Sequence, residues 1–436
     1  MDDWVARDAA VVWHGFTQMA AWGDNQPIVV ERAEGRELID VDGRRYLDAI
    51  SSLWVTTLGH RVPELDAALV EQLGKVAHST MLGHGNRVVV ELAEALAEVV
   101  PVDRPHVLFA SDGASAVEQA LKLAFQHWAN EGVTGRTRFL ALGGAYHGDT
   151  IGALSLGDGG FGAGVFDPLR FPVLRAPGYD DPGGLSKAAA LVTGHADELA
   201  AVIVEPLVQG AAGMRMASPE AFAELVDACR ETGVLLIADE VATGFGRTGT
   251  LFASEQCGLR PDLLCLGKGL TGGYLPMSAT VASGRVFDAF LGPERPSERG
   301  VRPDLGERTF FHGHSYGGNA LAAAVALRHL RLLTEWDVLA NVAARSADLR
   351  RLLDRQVTPL PAVAEVRLHG LMGGVELRPA PGERWGRRVA AACVRRGVLL
   401  RPLGDVVVVM PPLTVTAGEI TRIVDVLAAA IAEVTA

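Results

Sequence analysis

Two short apolar segments in the middle of the sequence each lead into side chains that could do chemistry. Val234–Ala238 precedes Asp239 and Glu240, and Leu263–Leu266 precedes Lys268. Short apolar runs bounded by turn residues are typical of buried strands in a parallel sheet, and ligands bind at the carboxyl ends of such strands. The acid and the amine are 268 − 239 = 29 residues apart, so each could be presented by its own strand. A carboxylate that holds a protonated ring nitrogen and a lysine that forms a Schiff base would together suit pyridoxal phosphate.

The prediction depends on the pairing of the two residues. A single Asp at a strand end often caps a helix or contacts a loop, and most lysines are simply solvated. Here the segment GFGRTG lies between Asp239 and Lys268, and the glycine-rich GKGLTGG surrounds the lysine. Together these features favour a functional site over the structural alternatives.

The elements that must position these residues alternate between strand-like and helix-like patterns. Strand-like segments occupy His106–Ser111, Arg138–Leu142 and Ala200–Pro206, upstream of the two strands already named. This alternation predicts a parallel sheet with helices on both faces. After the first strand, apolar residues recur at helical spacing: Val117, Ala120, Leu121, Ala124, Phe125 and Trp128. Ser218-Pro219-Glu220 is typical of a helix start, and Gly233 of its end.

Three further strand ends carry candidate residues. Ser111–Ser115 lies between a strand and a helix, where backbone N–H groups can bind phosphate, although any such turn needs small residues. Tyr146 follows the strand Arg138–Leu142 and could stack on a pyridine ring, or could be an ordinary core or interface tyrosine. Glu205 ends the strand before Pro206 and could be purely structural.

Composition favours a large α/β enzyme and disfavours several other classes of protein. The chain has 436 residues, more than one usual core, with 49% hydrophobic residues and 50 glycines. The net charge of −12 without a basic block argues against nucleic acid or an anionic membrane as the main partner. No apolar run reaches the roughly 18 residues that a membrane span needs. The start of the sequence does not resemble a signal peptide, so we expect a cytoplasmic protein.

Cysteines and histidines give no indication of a disulfide or a metal centre. The four cysteines form no CxxC pair, which favours reduced, buried thiols. His312 and His314 flank one glycine, but acidic or thiol ligands are missing nearby, so we expect no metal site.

Read in order, these segments resemble the class III aminotransferases of fold type I over nearly the whole chain. The stretch ADEVATGFGRTG is shared by many members of that family. The stretches YHGDT, FFHGHSYGGN and LRPLG are more specific, and they resemble the branch that makes 7,8-diaminononanoate in biotin synthesis, the 8-amino-7-oxononanoate aminotransferases. The resemblance implies pyridoxal phosphate as cofactor and a homodimer with active sites at the subunit interface. It also implies a small-molecule amino donor and an oxo-acid acceptor.

The resemblance assigns roles around the cofactor. Lys268 corresponds to the Schiff-base lysine and Asp239 to the partner of the ring nitrogen. Gly113 and Ala114 correspond to the phosphate turn, where the family's usual serine is replaced by alanine, so that only backbone donation remains. Tyr146 corresponds to a catalytic residue that packs on the ring and, like Lys268, contacts the substrate.

The resemblance also assigns substrate contacts and a contribution from the second subunit. His314 and Ser315 correspond to a phosphate-binding pair that the neighbouring subunit supplies. Gly313 and Arg401 correspond to substrate contacts, and the Arg401 guanidinium would pair with the carboxylate of the long oxo acid. Outside the LRPLG context, Arg401 would be a surface arginine after a strand.

Two departures concern the amino donor. Members that use S-adenosylmethionine typically carry a Trp-Trp pair and a WHPY-type motif, whereas this chain has Leu53-Trp54 and WHGF. Phe16 therefore stands where a tyrosine hydroxyl is expected, and Leu53 where a large ring is expected. Leu53 and Trp54 are predicted to contact the substrate. The donor could be S-adenosylmethionine, lysine or another compact diamine.

The domain organisation follows from the same patterns. We expect residues 1–52 and 326–436 to form a smaller α+β domain and residues 53–325 to form the large cofactor-binding domain. Asp288–Glu307 is rich in Pro, Gly and charge, which predicts an exposed loop.

Other functions remain open at this point. The nearest alternative is another class III aminotransferase acting on ω-amino acids or diamines, and a mutase or racemase using the same cofactor is less favoured. A non-catalytic module that binds pyridoxal phosphate would not need both Lys268 and Asp239. A nicotinamide dehydrogenase would need a GxGxxG turn followed by an acid, which the sequence lacks in that context.

Overall fold

The computed structural model describes residues 3–25, 27–158, 160–292 and 308–436. Within them the strands are β1 Val30–Glu34, β2 Glu37–Asp40, β3 Arg45–Asp48, β4 His106–Ala110, β5 Arg138–Leu142, β6 Leu174–Ala176, β7 Leu199–Val204, β8 Val208–Gln209, β9 Arg215–Met216, β10 Leu235–Asp239, β11 Leu263–Leu266, β12 Ser278–Ala282, β13 Val363–His369, β14 Met372–Leu377, β15 Val398–Leu399, β16 Arg401–Leu403 and β17 Val406–Val409.

The α-helices of the same residues are α1 Trp4–Val11, the irregular single turn α2 Ser51–Trp54, α3 Pro63–Leu73, α4 Arg87–Val99, α5 Gly113–Asn130, α6 Ile151–Leu156, α7 Gly184–Gly194, α8 Ala223–Thr232, α9 Ala253–Gln256, α10 Gly284–Asp288, α11 Ala320–Glu335, α12 Val338–Gln356, α13 Trp385–Arg395 and α14 Ala417–Thr435. Short 3-10 turns cover Met19–Ala21, Gly23–Asn25, Gly160–Leu169, Pro219–Phe222 and Lys268–Thr271.

The chain divides into two compact units. One comprises Met1–Pro63 and Asp337–Ala436, and the other comprises Glu64–Trp336. The domain borders expected from the sequence lie nearby at residues 52 and 325, and the assignment of domains to functions stays a prediction. Asp288 is the last residue of α10, and residues 293–307 of the predicted loop lie outside the described residues.

The unit Glu64–Trp336 is built on a seven-stranded sheet in the order β4-β12-β11-β10-β7-β5-β6. Strands β11, β10, β7, β5 and β6 run parallel, which confirms the predicted sheet. Strand β12 runs antiparallel to both of its neighbours, β11 and β4, and the sequence did not predict it. Every residue of β7, β10, β11 and β12 is buried, as expected for strands covered on both faces.

Helix α5 packs its apolar stripe on this sheet. The buried members are Val117, Ala120, Leu121, Ala124 and Trp128, whereas Phe125 is 48% exposed. Phe125 is therefore the one member of the apolar stripe that lies outside its buried part. Phe125 follows Ala124 by one residue, which rotates its side chain by about 100° relative to that of Ala124 and places it at the margin of the stripe.

Helix α8 ends at the glycine that the sequence predicts, but its first turn differs from the prediction. Gly233 has φ +74° and its N–H donates to the carbonyl of Cys229, which closes the helix. The first turn, Pro219–Phe222, is a 3-10 turn, and the Ser218 side chain makes no capping bond to the backbone. Instead, the Glu220 carboxylate accepts its own backbone N–H, which is the main cause that lowers its pKa, and the hydroxyl of Ser218 contributes in the same direction.

The unit formed by the two ends of the chain contains two four-stranded sheets. One has the order β1-β2-β3-β15, in which only the pair β15–β3 is parallel. The other is the antiparallel sheet β13-β14-β17-β16. Helix α14 packs against α12 and α13 in this unit and buries Ile420, Ile423, Val424, Leu427, Ala430 and Ile431.

Candidate active site

Two predicted residues lie at the carboxyl edge of neighbouring parallel strands. Asp239 is the last residue of β10 and is paired in register with Cys265 of β11. Lys268 starts a 3-10 turn two residues after β11 ends, and it has φ +38°. A left-handed backbone at a non-glycine residue is costly and clusters at functional sites. Because β10 and β11 are adjacent and parallel, the acid and the amine emerge at the same edge of the sheet.

Asp239 is held by a histidine that the sequence analysis did not select. Nδ1 of His147 lies 2.7 Å from Oδ2 of Asp239, and both side chains are buried. The other oxygen, Oδ1, accepts the N–H of Val241 at 3.1 Å. An ionised carboxylate can only accept, so Nδ1 of His147 carries the proton in this bond. Nε2 of His147 is buried and has no partner among the described residues.

Sequence position could have indicated His147. The residue follows Tyr146 in the loop after β5, and β5 is separated from β10 only by β7. A histidine at that edge of a parallel sheet is therefore within reach of Asp239.

Burial and nearby charges set the ionisation of Lys268. Burial is the largest influence and lowers the pKa of the amine, while Asp239 and Glu205 raise it and Arg247 lowers it further. Arg247 is 1% exposed and is the charged residue of the GFGRTG segment. A less basic amine is more often neutral and therefore nucleophilic, which is the property that a Schiff-base lysine needs.

Glu205 belongs to the same group of buried charges. Burial raises the pKa of Glu205 to about 7, the charge of Asp239 adds to the rise, and His147 opposes it. Its carboxylate oxygens accept the N–H of Tyr146 at 3.1 Å and that of Gly210 at 3.3 Å. Glu205 thus holds the backbone of the loop that carries Tyr146 and His147.

Tyr146 is oriented by a second carboxylate. Its hydroxyl donates to Oδ2 of Asp149 at 2.8 Å. Burial is the main cause that raises the pKa of the phenol, and the hydrogen bond to Asp149 contributes in the same direction. The side chain is therefore a fixed, neutral aromatic group.

The start of α5 offers backbone donors for an anion. Asp112 caps the helix, and its carboxylate accepts the N–H of Ser115 at 2.9 Å and the hydroxyl of Ser115 at 2.9 Å. The first amides of a helix, here those of Gly113 and Ala114, have no intrahelical acceptor and can bind phosphate. A Cβ atom on Gly113 would lie 2.6 Å from Cγ1 of Val241. The turn therefore approaches the loop after Asp239 so closely that only glycine fits.

The segment Gly313–Ser315 is attached to neighbouring loops of the same unit. Nε2 of His314 lies 3.4 Å from the hydroxyl of Ser111, and its Nδ1 accepts the N–H of Tyr316 at 3.2 Å. The ring of His78 donates through Nε2 to the carbonyl of Ser315 at 2.6 Å. A Cβ atom on Gly313 would come within 2.8 Å of Cδ2 of Leu82, an exposed side chain that would have to shift to make room for it.

Three predicted substrate residues belong to the other unit. Trp54 is buried, Leu53 is 48% exposed, and Arg401 begins β16 with an exposed side chain. Phe16 is exposed and has φ +54°. Their proposed contacts with substrate stay predictions.

The groups of the unit Glu64–Trp336 fit pyridoxal phosphate. A buried amine suits its aldehyde, a buried carboxylate suits its ring nitrogen, and free helix amides suit its phosphate. Within the described residues, no group of three or more His, Cys, Asp or Glu side chains is placed to hold a metal ion. In the same part of the chain, no helix is long and apolar enough to cross a membrane.

Comparison with known proteins gives matches along nearly the whole chain. A family model described as Aminotransferase class-III matches residues 18–431. A protein of Nitratidesulfovibrio vulgaris named adenosylmethionine-8-amino-7-oxononanoate aminotransferase is 45% identical, and the match covers 98% of this chain and 81% of that protein. The crystal structure of the Methanocaldococcus jannaschii protein of the same name is 38% identical, with a TM-score of 0.92 and 98% of both chains covered. An amine transaminase from an uncultivated Pseudomonas species, solved in its PLP-bound (internal aldimine) form, is 35% identical with a TM-score of 0.87, covering 97% of this chain and 98% of that chain.

Proposed function

Because the chain belongs to the class III aminotransferases and is a pyridoxal phosphate-dependent enzyme, we propose that it converts 8-amino-7-oxononanoate to 7,8-diaminononanoate in biotin synthesis. The observation that carries the chemistry is the placement of Lys268 and Asp239 at one edge of two adjacent parallel strands. The substrate follows from relatives named for that activity that are 38–45% identical over nearly the full chain.

The proposed cofactor site uses residues of the unit Glu64–Trp336. Gly113 and Ala114 bind the phosphate through their backbone N–H groups, and Asp239 holds the protonated ring nitrogen. His147 keeps the Asp239 carboxylate in place through its 2.7 Å hydrogen bond. When bound, pyridoxal phosphate supplies a reactive aldehyde and a ring that withdraws electrons from the substrate carbon.

Lys268 performs the proton transfers in this proposal. Its Nζ is buried and its pKa is lowered mainly by burial, so the amine can be neutral and accept a proton from the donor carbon. The same atom then returns the proton during product formation. Asp239 and Glu205 lie near enough to stabilise the charged form of the amine between these steps.

The substrate contacts are proposed from the family. Tyr146 packs against the cofactor ring and the substrate, Gly313 lines the substrate site, and Arg401 pairs with the carboxylate of the oxo acid. Leu53 and Trp54 line the same site.

The amino donor is S-adenosylmethionine or lysine. The printed names of the relatives support S-adenosylmethionine, while Phe16 and Leu53 remove a hydroxyl and a large ring from the expected donor site. A site that hydrogen-bonds its substrate loses much when the partner group is missing, and this supports lysine or another compact diamine.

We further propose that the enzyme is a cytoplasmic homodimer whose partners are small molecules. The four cysteines are free and buried, which suits a reducing compartment. The partner subunit would supply His314 and Ser315 to the phosphate, so an isolated monomer would bind the cofactor poorly.

The second candidate is another class III aminotransferase of ω-amino acids or diamines. The similarity to the amine transaminase of the Pseudomonas species, 35% identical over 97% of this chain, favours it. That reaction would use the same Lys268 and Asp239 and would differ only in the substrate contacts.

The experiment incubates the holoenzyme with 8-amino-7-oxononanoate and either S-adenosylmethionine or lysine, and quantifies 7,8-diaminononanoate by mass spectrometry. We expect product with at least one donor and none with Lys268→Ala. Absence of product with both donors, together with turnover of simple ω-amines, would replace the proposal with the second candidate.

A further inference from the structure

The segment Ser51–Trp54 has an unusual backbone for four non-glycine residues. The φ angles are +53° at Ser51, +60° at Ser52 and +65° at Trp54. Ser52 also has ψ −75°, a γ-turn conformation of positive φ that is rare and strained. Such conformations persist only where the surrounding structure over-determines them.

Asp48 provides the constraint on this turn. It is the last residue of β3 and its side chain is fully buried. Its two carboxylate oxygens each lie 2.8 Å from the N–H of Ser52, and Oδ2 also accepts the Ser52 hydroxyl at 3.1 Å. Further along the chain, the N–H groups of Val55 and Thr56 both donate to the carbonyl of Ser51 and close the turn.

His60 is a further hydrogen-bond partner of the Asp48 carboxylate. Its Nε2 lies 3.0 Å from Oδ2 of Asp48, and because an ionised carboxylate can only accept, Nε2 carries the donated proton. A buried carboxylate is costly unless it is hydrogen-bonded. Here the donors to the Asp48 carboxylate are the N–H and hydroxyl of Ser52 and Nε2 of His60. The hydrogen bonds that compensate for the burial of Asp48 therefore also fix the turn.

The turn orients two adjacent side chains in different ways. Leu53 is 48% exposed, whereas Trp54 is 9% exposed. Both are the residues for which a substrate contact is proposed above, and a change of φ and ψ at Ser52 would move both.

We propose that Asp48, supported by His60, is a positioning residue that fixes the Ser51–Trp54 turn and thereby sets substrate affinity at Leu53 and Trp54. This inference rests on the proposed function for the contact of those two side chains with the substrate. The hydrogen bonds of the Asp48 carboxylate go to Ser52 and His60, and the proposal gives Asp48 no part in the proton transfers.

The primary variant is Asp48→Asn. An asparagine keeps one oxygen but replaces the other with an NH2 group, which would face the N–H of Ser52 or of His60 with donor against donor. The turn orients the two side chains that are proposed to contact the substrate, so we expect the KM for 8-amino-7-oxononanoate to rise by about 10- to 100-fold, which corresponds to about 1.4–2.8 kcal/mol of lost binding. The affinity for pyridoxal phosphate, measured by equilibrium dialysis, should stay within about twofold of wild type, because Asp48 does not hold the proposed cofactor residues.

Asp40→Asn is the matched control. Asp40 is another buried carboxylate of the same sheet, and it accepts the N–H groups of Asp42 and Arg44 and the hydroxyl of Tyr46. The substitution removes a similar set of bonds without touching the Ser51–Trp54 turn. A KM effect specific to Asp48→Asn therefore separates positioning from a general loss of stability.

Two variants of His60 test whether its hydrogen bond to Asp48 is needed for substrate affinity. They also keep the proposal testable if Asp48→Asn does not fold. His60→Ala removes the donor and should raise KM in the same direction, whereas His60→Gln can place an N–H near Nε2 and should restore most of the affinity. A crystal structure of the folded variant with the largest effect should show Ser52 outside the γ-turn conformation.

The outcomes separate this inference from the proposed function. A wild-type enzyme that makes no 7,8-diaminononanoate refutes the proposed function, and the same KM comparison then uses the ω-amine that the wild type does accept. The inference is overturned if Asp48→Asn and His60→Ala leave KM within about twofold of wild type, or if Asp40→Asn raises it equally.

Discussion

The hydrogen bond between His147 and Asp239 gives the sharpest test of the site. The structure places Nδ1 of His147 2.7 Å from Oδ2 of Asp239, with the imidazole side chain fully buried and the carboxylate 5% exposed. The perturbation is His147→Ala, compared with His147→Asn. The asparagine NH2 group can occupy the place of Nδ1 and can still donate to the carboxylate.

The magnitude follows from the charge and burial of this pair. A hydrogen bond to a charged group contributes about 1.5–3 kcal/mol, and 1.4 kcal/mol corresponds to about tenfold in rate, so His147→Ala should slow the donor half-reaction by roughly 10- to 100-fold. Oδ1 of Asp239 keeps its bond to the N–H of Val241, so the carboxylate should rotate rather than leave. His147→Asn should recover most of the rate.

The assay is single-turnover stopped-flow of the holoenzyme with the amino donor, following the visible absorbance of the bound cofactor. Cofactor affinity and urea unfolding are measured in parallel, so that a slower reaction can be distinguished from loss of cofactor or of fold. A His147→Ala rate within about twofold of wild type, or an Asn variant as slow as the Ala variant, would refute the role of this hydrogen bond.

Three further predictions concern other residues. Burial raises the pKa of Glu205 from 4.5 to about 7, so the folded cofactor-free protein holds a proton that the unfolded chain releases. The free energy of unfolding should fall between pH 4.5 and 7 by on the order of 3 kcal/mol, and Glu205→Gln should remove that decrease in urea titrations. Gly113→Ala should weaken cofactor binding at equilibrium, since the new Cβ would lie 2.6 Å from Val241, whereas Gly194→Ala, which meets nothing within 4 Å, should not. Arg401→Ala should raise the KM for the oxo acid by roughly 30-fold or more and leave the donor half-reaction unchanged, as expected for about 2 kcal/mol or more lost with a charged partner. An equal effect of Arg401→Ala on both half-reactions would indicate a structural arginine.

The large sheet was predictable because its strands are short apolar runs bounded by turn residues. Arg138–Leu142 and Leu263–Leu266 coincide with β5 and β11, and this confirms those predictions. The adjacency of Asp239 and Lys268 could be inferred because the carboxyl ends of neighbouring parallel strands share one edge. Strand β12, with the sequence SATVA, gave no comparable pattern. Its small residues suit several structures, and the direction in which a strand runs is decided by the connections around it.

The partners of the site residues were not predictable to the same extent. His147 and Asp239 are 92 residues apart, and their hydrogen bond depends on the order β5-β7-β10, which the alternating pattern does not specify. The group around Glu205 depends equally on burial, since the same carboxyl group on a surface strand would keep an ordinary pKa. The backbone of Ser52 was also hidden, because the sequence SSLW lacks the glycine that usually accompanies a positive φ.

Positive φ occurs at three residues with proposed contacts to cofactor or substrate, Phe16, Trp54 and Lys268. It also occurs at residues without such a contact, among them Leu207 and Asp337, the residue that caps α12. The Asp337 side chain makes no capping bond to α12, and Asp is one of the residue types that adopt a left-handed backbone most readily. Trp54 is 9% exposed, and a tryptophan has no local preference for positive φ, so the packing around it must hold its backbone. Phe16 is 64% exposed, and packing does not explain its positive φ. A backbone conformation that is held by packing costs stability, and it keeps the side chain in place before the substrate arrives. At such residues, rules based on local sequence are expected to fail.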